Sequence, residues 1–266
     1  MTNPSDDEYR RRSAENLSGV EYGPKPLVTV TDAEILALDG PEMRRVTPLL
    51  GLGPTVSDQQ RNLMVEEAAN RLFSTGRADD GSPLGGDDLD TPEPTVRTVL
   101  RMRRSWLALL LVDQQMAIGR QWLTVYLRAD RRAIAESVTP DGRHTFTALK
   151  RAAALDSVAQ DLTPFPDAAD EDGPHRTYSM STWQQEAAGT LAASKVVTTV
   201  IVKRHDGTMR HMDDQRFAVY NLADRTELFV GEPDGRVNIG PIARRTLRDR
   251  LDRVTRPLDP VDGEYG

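Results

Sequence analysis

The feature that most constrains this chain is an internal repeat, because a fold built twice must offer the same elements in the same order in both copies. Pro140-Asp141-Gly142-Arg143 recurs as Pro233-Asp234-Gly235-Arg236, an offset of 93. Leu123-Thr124-Val125-Tyr126 is echoed by Phe217-Ala218-Val219-Tyr220 at an offset of 94, and Arg132 and Arg225 each stand eight residues before their proline. Further upstream, Glu67-Ala68-Ala69 with Leu72 matches Glu186-Ala187-Ala188 with Leu191 at an offset of 119. The larger offset reflects about 25 extra residues in the first copy, where an acidic stretch lies.

Each copy reads as helix, three strands, Asp-Gly turn, helix. In the second copy, residues 182–195 form an Ala-rich helix and 196–203 (VVTTVIVK) are β-branched enough for a strand. Asp206-Gly207 makes a hairpin turn, and 216–220 and 227–231 follow as strands. Gly240-Pro241 opens a last helix over 242–255, with Ile242, Leu247, Leu251 and Val254 as its apolar stripe and five arginines elsewhere. In the first copy, residues 107–118 taken alone suit a buried helix equally well; the repeat decides for a strand over 105–112. Strands over 121–128 and 133–138 and a closing helix over 146–161 complete it. The opening helix spans 58–74, capped by Ser57 and stopped by Gly76, and Thr31 with Glu34 forms a capping box for a short helix through Leu38.

The fold class expected is α+β: a pseudo-twofold internal duplication of a helix–three-strand–helix unit, with antiparallel sheets and flanking helices. A disordered N-terminal arm over 1–26 precedes a single duplicated domain at 27–256, whose repeat units run about 57–162 and 179–255. A flexible tail covers 257–266.

Charge narrows the functional classes. The chain carries 34 Lys+Arg against 41 Asp+Glu, a formal −7, which argues against a basic nucleic-acid coat or a polybasic membrane binder. Twelve of the acids lie in two base-free stretches, 79–93, rich in Pro and Gly, and 156–172, with Pro164 and Pro166 inside it and Gly173-Pro174 directly after. They read as solvated loops, or else as an electrostatic arm for a basic partner. The remainder has 34 bases against 29 acids. With no cysteine there is no disulfide, Cys-ligated zinc, iron–sulfur cluster or thiol nucleophile. The longest apolar stretch, residues 106–112, is far short of the roughly 20 residues a membrane span needs. The polar N-terminus carries no secretory signal pattern, so a cytoplasmic protein is expected.

Chemistry is sparse. Of the four histidines, His205 and His211 flank the Asp206-Gly207 turn with Asp213 and Asp214 near, a spacing that matches no zinc or iron pattern and reads as an exposed hairpin tip. The Gly81–Gly86 stretch lacks a following Lys-Ser/Thr and sits among carboxylates that would repel phosphate. No serine has a nucleophile-elbow setting. Arginines at 101, 103 and 104 beside Trp106, and at 128, 131 and 132 after Tyr126, form basic clusters that read as ion-pair rims in a chain of negative charge. No catalytic residue, cofactor or metal site is assigned.

Three stretches carry a resemblance. Val28-Thr29-Val30-Thr31 precedes a short helix. Arg71-Leu72-Phe73-Ser74-Thr75-Gly76-Arg77-Ala78, followed by Asp79-Asp80-Gly81, ends a longer one. A strand, Pro-Asp-Gly-Arg, helix block closes each copy. With the duplicated plan, these make residues 27–255 similar to the EspG family, the cytosolic chaperones associated with type VII (ESX) secretion in actinobacteria. The helix end resembles that family's Leu-x-x-Arg-Gly-Leu segment with Thr75 in place of the arginine, and the acidic stretches depart from it. The resemblance implies a non-enzymatic protein that holds the exposed apolar tip of a helical secreted substrate, of PE–PPE or WXG100-like type, and delivers it. No nucleic acid or membrane insertion is implied. In that family the client docks against a C-terminal helical bundle and a protruding strand loop. The positions here are Leu247, Leu251 and Val254, and the turn Arg128-Ala129-Asp130-Arg131. The alternative for the three aliphatics is core facing the sheet. Two further classes stay open: a phage or envelope structural subunit, which a stable homo-oligomer without client would mark, and an enzyme, which a copurifying metal or cofactor would mark.

Overall fold

The computed structural model describes residues 4–39, 47–74, 94–117, 119–164, 172–205 and 212–258. Among the described residues the chain runs α1 (Pro4–Asn16), β1 (Lys25–Thr31), α2 (Asp32–Asp39), α3 (Asp58–Ser74), α4 (Pro94–Met102), β2 (Ala108–Met116), β3 (Gly119–Leu127), β4 (Arg132–Val138) and β5 (Arg143–Lys150). It continues through α5 (Arg151–Leu162), β6 (Arg176–Ser179), α6 (Trp183–Glu186), α7 (Ala188–Ala193), β7 (Val196–His205), β8 (Met212–Asn221), β9 (Thr226–Gly231), β10 (Arg236–Pro241) and α8 (Arg244–Val254). The expected α+β class with antiparallel strands is what forms. The backbone contacts divide the chain into two compact units, residues 1–105 with 134–149, and residues 106–133 with 150–266, a division that does not follow the repeat.

In the first unit the strand order is β1-β5-β4. Thr31 and Glu34 make the expected capping box at the head of α2: the Glu34 N–H donates to Thr31 Oγ1 at 3.3 Å, and the Thr31 N–H donates to Glu34 Oε2 at 2.7 Å. Ser57 and Gln60 do the same for α3, whose bounds are those expected. Along β5 the buried His144, Phe146 and Ala148 alternate with Thr145 and Thr147, a period of two that belongs to a strand. That corrects the sequence reading in both copies. Each Pro-Asp-Gly-Arg is a hairpin turn leading into a further strand, β5 or β10, and the closing helices begin only at Arg151 and Arg244. Helix propensity in the Ala-rich run after Lys150 had drawn the boundary forward.

Part of the arm expected to be disordered over 1–26 is ordered among the described residues. Residues 4–16 are helical, held by i,i+3 and i,i+4 pairs of Glu8 and Glu15 with Arg11 and of Glu8 with Arg12. Arg101 of α4 stacks 4.0 Å over the Tyr9 ring, and Leu17 and Val20 are buried. Residues 259–266 of the expected tail, and the acidic stretch 79–93, lie outside the described residues.

In the second unit the order is β3-β2-β7-β8-β9-β10-β6. The central ladder pairs β2 with β7 from Ala108↔Arg204 to Met116↔Val196. Tyr126 of β3 lies opposite Leu109, and Tyr220 of β8 opposite Val197. Helices α5 and α8 pack together, burying Ala154, Leu155, Val158, Ala159 and Leu162 on one and Leu247, Leu251 and Val254 on the other. Polar clamps fix the pair. Arg151 donates to Thr255 Oγ1 at 2.8 Å, Arg248 to Asp156 at 2.5 Å and Arg244 to the Thr163 carbonyl at 2.8 Å. Asp172, from the second acidic stretch, accepts the Ala243 N–H at 2.8 Å and the Thr246 hydroxyl at 2.8 Å, putting a negative charge at the head of α8. The helix expected over 182–195 is two short pieces, α6 and α7. Their Ala187, with Trp183 and Leu191, packs onto Tyr220, Phe229, Val237 and Ile239, and Trp183 meets Phe229 edge-on at 5.6 Å.

Candidate partner-binding surface

The structure separates the residues that the resemblance had grouped. Leu247 and Leu251 are fully buried and Val254 nearly so, turned toward α5. Such side chains stabilise the unit by roughly 1.5–3 kcal/mol each and offer no face to a partner. Their burial favours the core alternative over the docking role expected. The outward side of α8 instead carries Arg245 and Arg253, while Arg250 lies 5.4 Å from the Phe217 ring, its pKa pushed down by burial.

The turn at Arg128-Ala129-Asp130-Arg131 is at the surface but tightly built. The Arg128 N–H donates to the Arg132 carbonyl at 3.0 Å, and Asp130 Oδ1 accepts the Arg132 N–H at 3.2 Å. Arg131 has φ 59°, a left-handed conformation that costs a non-glycine residue about 1–2 kcal/mol. Its carbonyl accepts the Arg151 N–H at 2.9 Å, so the turn is tied to the head of α5. Asp130 and Arg131 are exposed.

A surface that sequence reasoning missed lies on one face of the second unit's sheet. Along β7, Thr198, Val200 and Val202 are buried, whereas Val197, Thr199, Ile201 and Lys203 are all half-exposed. Register places Ala218 of β8 and Trp122 and Asp113, of β3 and β2, on that same side, all half-exposed. Much of this side is covered: Val197 and Ala218 pack against the cluster beneath α6 and α7, and Leu109, Leu111, Thr124 and Tyr126 on it are buried, so the half-exposed part is a patch at Trp122, Asp113, Thr199 and Ile201. Ion pairs rim it. Arg120 grips Asp113 with two bonds of 2.6 Å, which raises the arginine's pKa, and its guanidinium lies 5.5 Å from the Trp122 ring. Lys203 and Arg216 meet Asp214 at 3.1 and 3.5 Å. A run such as VVTTVIVK could not reveal this, because β-branched residues on both faces hide the alternation that marks the open side.

The histidines are placed differently from expectation. His205 is buried, not at an exposed tip; its ring bonds the Trp106 carbonyl and meets the Trp106 ring edge-on at 4.7 Å. His211 lies outside the described residues. Among the described residues no group of three or more His, Cys, Asp or Glu is arranged to hold a metal ion. No helix among them is long and apolar enough to cross a membrane.

No protein-family model matches the chain. No curated protein matches it either. Among solved structures, the fold is similar to that of the type VII secretion system chaperone EspG5 of Mycobacterium tuberculosis, determined in complex with the PE25–PPE41 dimer. The likeness covers 87% of this chain and 97% of that one, with a TM-score of 0.50 and 11% sequence identity, and it is a likeness of fold.

Proposed function

We propose that this chain is a cytoplasmic, chaperone-like protein that binds a helical type VII secretion substrate, of PE–PPE or WXG100-like kind, rather than an enzyme. The observation that carries the reading is the fold likeness to EspG5, which runs almost the full length of both chains and concerns a chaperone seen with a PE–PPE dimer bound. The half-exposed patch at Trp122, Thr199 and Ile201 supports it, because apolar side chains inside a charged rim suit the apolar tip of a helical partner. The turn at Arg128, Asp130 and Arg131 belongs to the same proposal as a second, polar contact.

The two copies are proposed to be one unit used twice. In support, Leu109 and Val197, which face Tyr126 and Tyr220, are 88 residues apart, the same as the spacing of the starts of β2 and β7. Both Pro-Asp-Gly-Arg turns close with the same pair of bonds, and their glycines have φ of 75° and 79°.

The test is co-elution in size-exclusion chromatography with PE–PPE heterodimers encoded in the same genome. A complex that forms with the wild type and is lost with Ile201→Asp, at unchanged melting temperature, is the expected result. A stable homo-oligomer that captures no such heterodimer would return the protein to the structural-subunit class.

A further inference from the structure

The first unit buries a charged cluster that the partner surface does not use. His144, 1% exposed on β5, lies opposite Val30 of β1. Its Nδ1 is 2.7 Å from Glu136 Oε1 on β4, and its Nε2 is 2.5 Å from Asp32 Oδ1 at the head of α2. Ionised carboxylates only accept hydrogen bonds, so two such partners require a hydrogen on each ring nitrogen, which is the imidazolium form. Burial presses the ring toward neutrality, but the bonds to Asp32 and Glu136 outweigh it, and its pKa stands above the ordinary 6.5.

The second oxygens of the two carboxylates hold a different part of the chain. Asp32 Oδ2 accepts the N–H of Gly51 at 2.6 Å and of Leu52 at 3.1 Å, and Glu136 Oε2 accepts the Thr47 hydroxyl at 3.0 Å. Residues 47–52 thus run as a strap over the cluster, so close to the β4–β5 turn that a Cβ on Gly51 would stand 2.8 Å from the Asp141 carbonyl. At the end of α4, Arg103 reaches Glu136 at 3.5 Å and also bonds Asp39 of α2, which Arg104 meets at 2.8 Å. At the turn, Asp141 and Arg143 are exposed and pair with each other at 3.1 Å. With the ring protonated, Asp32, Glu136 and Asp39 are matched by the buried His144 and Arg103 and the exposed Arg104.

We propose that the 47–52 strap is clasped by a proton, its closure depending on the imidazolium of His144 between Asp32 and Glu136. A neutral ring donates to one carboxylate only. The other is then a buried charge facing a like charge, and three bonds to the strap are made by those same two groups. The sign follows from the raised pKa. The stabilisation is fully present below the unfolded imidazole value near 6.5 and is lost as pH rises through the folded value.

The experiment is hydrogen exchange of the Gly51 and Leu52 amides in the full chain, corrected for intrinsic rates, alongside an NMR titration of the His144 ring. Opening at those amides is expected to rise by up to about tenfold per pH unit between 6.5 and the folded pKa, and to level off above it. In His144→Gln that slope disappears. Should the variant fail to fold, the wild-type ring titration and amide slope decide the matter. A ring that titrates at or below 6.5, or amides whose protection is flat across the window, overturns the proposal.

Discussion

Replacing Leu251 by alanine removes three buried carbons from the middle of α8 without disturbing the helix itself, since alanine is the best helix former. Leu251 is fully buried, and its carbonyl accepts both the N–H and the hydroxyl of Thr255, which pins the helix end around it. The loss combines the transfer free energy of the missing carbons with the cavity they leave, about 2–5 kcal/mol for such a change. At about 2–4 °C per kcal/mol for a body of this size, a loss of about 3 kcal/mol lowers the melting midpoint by about 6–12 °C. Thermal and urea unfolding followed by circular dichroism and by tryptophan fluorescence measure it, and coincidence of the two probes checks cooperativity. Arg253→Ala, on the outward side of the same helix, is the internal control and should stay within about 0.5 kcal/mol. A Leu251→Ala protein that melts with the wild type, yet no longer captures a helical partner, would refute the core assignment and restore the α8 stripe as a docking face.

Two glycines in matching turns predict unequal outcomes. Gly142→Ala combines a positive φ with a Cβ only 2.5 Å from Asp32 Oδ2 and should lower stability by about 2–4 kcal/mol; Gly235→Ala has the same φ but open space and should cost about 1 kcal/mol. Equal losses in urea titrations would contradict the close approach of the turn to Asp32. Arg131→Gly should raise stability by about 0.5–1 kcal/mol by relieving the left-handed φ, whereas Arg131→Val should lower it; a glycine variant less stable than the wild type removes the strain argument. Trp122→Ala, half-exposed on the sheet face, should weaken partner capture at least tenfold in a binding titration with a melting midpoint shifted by no more than a few degrees. Unchanged affinity would move the docking surface elsewhere.

Local chemistry was legible where it acts over a few residues. Ser57 and Thr31 announced α3 and α2 because a capping box is a bond between residues three apart. The repeat made a strand of residues 105–112, which propensity alone left ambiguous; β2 forms there but runs from Ala108 to Met116. It also misled, since reading a helix straight after one Pro-Asp-Gly-Arg repeated the same omission after the other, and both β5 and β10 were lost. Helix α4 begins at Pro94, directly after an acid-only stretch, and α1 is polar nearly throughout, so neither advertised itself. The candidate surface and the buried cluster are products of tertiary pairing. Nothing in the sequence around His144 points to Asp32, 112 positions away, and no pattern within β7 says which of its two aliphatic faces is left open.

The pairing of β2 with β7 also sets a schedule for synthesis. Strand β2 ends at Met116 and its partner at His205, so roughly ninety residues must be made after one edge exists and before it can be closed. At about 5–20 residues per second this leaves the β2 edge, with Leu109, Leu110, Leu111 and Val112 along it, unpaired on the ribosome for about 4–18 s. An open apolar edge is a template for pairing with any neighbouring strand, including the same one on the next nascent chain. Dense polysomes, slow codons between 117 and 195, or truncation before β7 should therefore all raise the insoluble fraction, while supplying β7 in trans as a separate peptide should lower it.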